Sequence, residues 1–176
     1  MSVTVERRSS SVFIDLVVLG EWWGSATGVP VLLAFTFFMG LMLSRLIGVV
    51  LGMGNGAGLI MTAFTGTGVI FLGMATLSTV IKRDLSTMGK WLFIGVIMLI
   101  VAGLANLFIQ SSALMITVSV LAIGIFSAFI LYDLKRVQDG EETNYISATL
   151  GVYLSLYNVF QSLLSILGIF GGSSSD

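Results

Sequence analysis

The chain has 176 residues, of which 56% are hydrophobic and 10% charged, with a net charge of -1 and a mean hydropathy of +1.05. Soluble domains carry roughly a quarter of their residues charged, so this is a membrane protein, and the charge balance leaves no footprint for nucleic acid. Cysteine and histidine are both absent, which removes disulfides, thiolate chemistry and the commonest metal ligand and general base; no catalytic constellation remains, so neither an enzyme nor a bound cofactor is expected.

Residues 1–28 form the first unit. Val12, Phe13, Leu16, Val17 and Leu19 can make one apolar helical side, with Trp22 and Trp23 at headgroup level. The stretch is too short, and too interrupted by Asp15 and Glu21, to cross a bilayer, and it lacks the parts of a signal peptide. Two readings stand: a cytoplasmic or interfacial segment, or the leftover end of a longer protein whose earlier spans are missing.

From residue 29 the uncharged runs are long, and two of them exceed the roughly 20 residues of one span. Gly52, Gly54, Asn55, Gly56 and Gly58 supply one turn, and Gln110, Ser111 and Ser112 another. The spans predicted are Val29 to Leu51, Leu59 to Ile81, Lys90 to Ile109, Ala113 to Leu134 and Asn144 to Ile169, an all-α polytopic bundle over 29–170 followed by a short polar tail at 171–176. Continuous apolar runs favour helices over the alternation of a membrane barrel.

Four of the five spans carry polar groups that need an account. Arg45 lies well inside the first, where a cation costs about 2.5 to 3.5 kcal/mol on insertion scales, so it should snorkel, face protein or find a partner such as Asp133. Gly48 and Gly52 make a GxxxG face, a weak packing signal in a glycine-rich chain. Asn106 reads as a helix-packing bond. Asp133 ends the fourth span, where a carboxylate turned into protein could sense pH or hold a cation, which makes it a weak metal candidate; the alternative is solvation or pairing with Lys135 or Arg136. Asp139, Glu141 and Glu142 read as a solvated loop.

Arg7, Arg8, Lys82, Arg83, Lys90, Lys135 and Arg136 all fall on one side of this arrangement. Basic loops stay cytoplasmic, so the N-terminus is expected inside and the C-terminus outside.

The last span is the most polar. Asn144, Ser147, Gly151, Ser155, Asn158, Ser162 and Ser165 recur at intervals of three or four and share one helical face. Lipid offers such groups no partner, so the stripe is predicted to face other helices or a wet cavity. Gly151 and Ser162 are helix-packing candidates; Ser155 and Asn158 join Asp133 and Arg45 as pore or pH-sensing candidates.

LLAFTFFMGL at 32–41, GLANLFIQ at 103–110 and ILYDLKRVQDGEETNYISATLGVYLSLYNVFQSLLSILG at 130–168 resemble the Bax inhibitor-1 (transmembrane Bax inhibitor motif) family, within it the bacterial YccA-like branch. The resemblance implies a seven-helix bacterial inner-membrane fold of which this chain retains the last five spans. Ser44 and Arg45 stand where family members commonly carry glycine and proline. Some members are described as pH-sensitive calcium leak channels gated by two aspartates that share a proton. Asp133 matches the first, but Ser155 stands at the second, and a hydroxyl does not titrate in the useful range. The YccA-like branch, which also has serine there, is associated with restraining the membrane-bound, ATP-dependent protease FtsH.

Three expectations follow. A modulator of an FtsH-type protease leads, a cation leak channel with calcium as the transported ion comes second, and a truncated inactive remnant third. The lipid bilayer is the certain partner, and a second copy of the chain is a candidate to complete the bundle.

Overall fold

A computed structural model describes residues 28–173; the expected interfacial segment lies outside these residues except for Gly28, as does the end of the polar tail. Five helices follow one another: α1 Gly28–Leu51, α2 Gly56–Val80, α3 Met88–Ile109, α4 Ser112–Gln138 and α5 Tyr145–Ser173. Each is long and apolar enough to cross a bilayer, and every boundary falls within four residues of the sequence expectation. There is no strand among the described residues.

The connections follow from local chemistry. Between α1 and α2 the chain reverses within Gly52–Asn55, and Gly56 enters the next helix where a β-carbon would lie 2.1 Å from the Val50 carbonyl oxygen, so only glycine fits. Between α3 and α4, Gln110 takes a left-handed conformation (φ 52°) and donates its N–H to the Asn106 carbonyl. Ser111 then caps α4 by accepting from the Leu114 N–H. The α4 to α5 link turns at Gly140, with φ +75°.

Helix α5 packs against α4, α2 and α1, whereas α3 packs on α4 alone. One dry core joins α1, α2 and α5, built on Val50, Ala63 and Leu164, none more than 1% exposed, with Ile47, Ile60 and Phe160 around them. Glycines set the α3–α4 approach. A β-carbon at Gly95 would lie 2.9 Å from Ile125, and one at Gly89 2.7 Å from the Tyr132 hydroxyl oxygen. Outward faces are apolar, as with Phe37 and Trp91, both 70% exposed; this is the surface a bilayer covers.

The weak GxxxG signal marks no helix contact here. Gly48 has open space where a β-carbon would go, and Gly52, in the turn just past α1, meets only the Val49 and Gly48 carbonyl oxygens, so neither brings two of the described helices together. Both are exposed.

Candidate functional site

Two polar regions lie at different depths along α5. The first is at the end of the bundle that carries the basic loops, where Tyr132 meets Gly89 and the Gln138 amide donates to the Ser78 hydroxyl at 2.8 Å, drawing the ends of α2, α3 and α4 together. Ser78 is fully buried and its own hydroxyl donates a hydrogen bond to the Ala75 carbonyl.

Asp133 faces into this end. Its carboxylate lies against Gly151 of α5, where a β-carbon would sit 2.7 Å from Oδ2. The missing side chain of Gly151 leaves room for the carboxylate. The expected alternative of pairing with Lys135 or Arg136 is not what forms. Lys135 Nζ reaches Asp139 at 2.6 Å, while Arg136 reaches Glu142 at 3.4 Å and Glu141 at 3.9 Å. The acidic loop, expected to be merely solvated, is therefore the partner of the basic pair. Asp133 has no ion pair or hydrogen bond among the described residues.

Ser155 lies one turn beyond Gly151 and is 4% exposed, yet forms no hydrogen bond to Asp133 or to any other described residue. Asn144 and Ser147 depart from the inward stripe: Asn144 accepts from the Ile146 and Ser147 N–H groups as the α5 cap, and Ser147 is exposed. The capping requirement at the helix start takes Asn144 before the helical face begins.

Arg45 and Asp133 do not meet. Helices α1 and α4 are not in contact. Val50 packs beside Gly168, whereas Asp133 packs beside Gly151; those points on α5 are about 25 Å apart at 1.5 Å per residue. Arg45 is exposed without an ion pair among the described residues, six positions from the end of α1, where its side chain can extend along the helix toward the headgroups.

The second region is a cleft of about 390 Å³ between α3 and α5, floored by α4. Asn106 of α3, Ser119 of α4, and Asn158, Gln161, Ser162 and Ser165 of α5 supply its polar lining, with no charged group among the residues that line it. Asn158 donates to its own helix at the Leu154 carbonyl, which leaves its side-chain oxygen available. Asn106, expected to be a packing bond between helices, instead accepts from the Ser111 N–H at 3.0 Å and so ties the α3–α4 turn. Ser162, expected to mediate packing, lines open space. Ser119 and Gln161 escaped the sequence reading. Gln161 was findable three positions after Asn158, but nothing in the run SALMITVSVLAIG marks Ser119.

Comparison with known proteins decides the family. The model of the family described as inhibitor of apoptosis-promoting Bax1 matches residues 12–172, most of the chain. The chain belongs to this Bax inhibitor family. The match begins inside the segment 1–28, earlier than the resemblance from Leu32.

A Vibrio cholerae relative described as a membrane protein is 39% identical over 167 residues, covering 95% of this chain and 75% of its own. The Escherichia coli K12 protein described as modulator of FtsH protease YccA is 38% identical over 142 residues, 81% of this chain and 64% of that protein. A second Escherichia coli relative, of strain CFT073, described as inner membrane protein YccA, matches to the same extent. The chain spans about three fifths to three quarters of the length of such relatives. It is a multi-pass membrane protein of the Bax inhibitor family.

Proposed function

We propose that this Bax inhibitor family chain modulates a membrane-bound, ATP-dependent protease of the FtsH type from within a bacterial inner membrane. The observation that carries the reading is the 38% identity over 142 residues to the protein described as a modulator of FtsH protease. The geometry is compatible with a binding role. The cleft is lined by no charged group, the charged residues of the α4–α5 link pair with one another, and no group of three or more potential metal ligands occurs among the described residues. Among the described residues no nucleophile, base and oxyanion donor come together as one hydrogen-bonded set.

In this reading the end bearing Lys82, Arg83, Lys90, Lys135 and Arg136 faces the cytoplasm, in line with the charge rule. The test is co-purification of the tagged chain with the protease from bacterial membranes, together with the half-life of a membrane substrate of that protease. Expected are a shared complex and slower substrate turnover when the chain is overproduced. A folded chain that neither binds the protease nor changes that half-life overturns the reading.

A second reading, a cation leak, draws on one observation: the Asp133 carboxylate packs on Gly151 without an ion pair while its neighbours pair among themselves. Calcium-indicator liposomes compare the wild type with Asp133→Asn from pH 6 to 8. The leak reading expects a flux that Asp133→Asn abolishes. A well-folded chain without flux, or one whose flux ignores the substitution, removes Asp133 from any such mechanism.

A further inference from the structure

The end of the bundle that carries the basic loops holds two basic clusters in opposite states. At the α4–α5 link, Lys135 and Arg136 are answered by Asp139, Glu141 and Glu142. At the α2–α3 loop, Lys82, Arg83 and Lys90 are all exposed, and their side chains form no ion pair or hydrogen bond among the described residues. Asp84, the one acid between them, accepts from the Ser86 N–H at 2.8 Å and so closes its own turn. Segment 1–27 brings three acids, Glu6, Asp15 and Glu21, against two bases, Arg7 and Arg8, an excess of one that cannot neutralise three cations. The counter-charge for this loop has to come from outside the chain.

The depth of these cations says what surrounds them. Only seven residues separate Val80 from Met88, and the Met88 N–H bonds back to the Leu85 carbonyl, so the loop is a tight reversal that keeps its cations at headgroup level. Val80, 67% exposed, and Trp91, 70% exposed, flank it on outward helix surfaces. Because α3 packs on α4 alone, the surface running down from Lys90 and Trp91 is one that the bilayer covers. An exposed tryptophan next to a lysine at a helix end is an interfacial anchor.

We infer that the α2–α3 loop binds the headgroup of an anionic phospholipid, a phosphodiester with no ammonium of its own. Lysine and arginine donate charge-assisted hydrogen bonds to phosphate oxygens. A zwitterionic headgroup carries its own counter-cation and gains less from three more, whereas each basic residue near an anionic surface adds roughly fivefold in affinity. The acyl chains of the same lipid lie along Trp91 and Ile94 on the outward side of α3. The α4–α5 link, whose cations are already matched, needs no such counter-ion.

Native mass spectrometry of the full chain in detergent, titrated with phosphatidylglycerol or with phosphatidylcholine of the same acyl chains, tests this. Expected is tighter binding of phosphatidylglycerol, weakened at least about tenfold when Lys82→Gln, Arg83→Gln and Lys90→Gln are combined. Lys82→Arg with Lys90→Arg should keep the binding, and Lys135→Gln with Asp139→Asn, which removes a matched pair, should change it less than about twofold. Neutralising segment 1–27 with Glu6→Gln, Asp15→Asn and Glu21→Gln should leave it equally unchanged. Four results overturn the inference: no preference for phosphatidylglycerol, a folded triple variant that keeps it, an equal loss from the matched-pair variant, or a gain of about tenfold on neutralising the segment, which would make that segment the occupant.

Discussion

The two sides of α5 meet the same solvent problem with opposite solutions. Toward α1 and α2, Leu164 and Gly168 are buried, and Leu164 closes with Val50 and Ala63 into a dry core. Toward α3, Asn158, Gln161, Ser162 and Ser165 line an open cleft. One side gains its stability from dispersion and close packing, while the other retains hydrogen-bonding capacity that the bundle itself does not use. Polarity along a membrane helix therefore marks where a neighbour is needed, and does not by itself say that the neighbour is present.

That contrast can be broken at its packed side first. Leu164→Ala should lower stability by about 3 kcal/mol, within the range for buried leucines, in reversible unfolding in mixed micelles. Gln161→Leu under the same conditions should stay within about 0.5 kcal/mol. Equal effects would show that the cleft side is as tightly coupled as the core.

Gly56→Ala comes next, at about 2 to 3 kcal/mol, because the added methyl meets the Val50 carbonyl, which is backbone and cannot rotate away. A neutral result by the same unfolding assay would mean that the α1–α2 turn relaxes freely.

Gln138→Ala leaves the buried Ser78 hydroxyl without its donor and should cost about 1 kcal/mol. The smallest change is expected from Asp139→Asn, which removes the Lys135 ion pair at a site open to water. It should cost under about 1 kcal/mol and fade with added salt. A larger, salt-insensitive loss would show that this end is drier than its exposure indicates.

Much of the bundle was legible before any coordinates. The boundaries of all five helices follow from where charges interrupt apolar runs and where Gly52–Gly58 and Gln110–Ser112 punctuate them. Family membership was legible too, through the run from Ile130 to Gly168. The inward character of Gly151 and Ser155 followed from helical period. The period could not show that Asn144 is consumed as a cap, that Asn106 closes its own turn, or that Gly48 and Gly52 are both exposed.

The sequence by itself determined the solvent, the number of spans and the family, because each rests on composition and local order: a run of apolar residues long enough to cross, a turn residue between two runs, a motif read in register. Only the tertiary structure decided the partners. It paired Lys135 and Arg136 with the acidic loop, set Asp133 against Gly151, kept Arg45 on a helix that does not touch the one carrying Asp133, and left Ser119 and Gln161 around one cleft. Those outcomes depend on which helices touch, at which height and rotation, and that is fixed by packing between segments far apart in the chain.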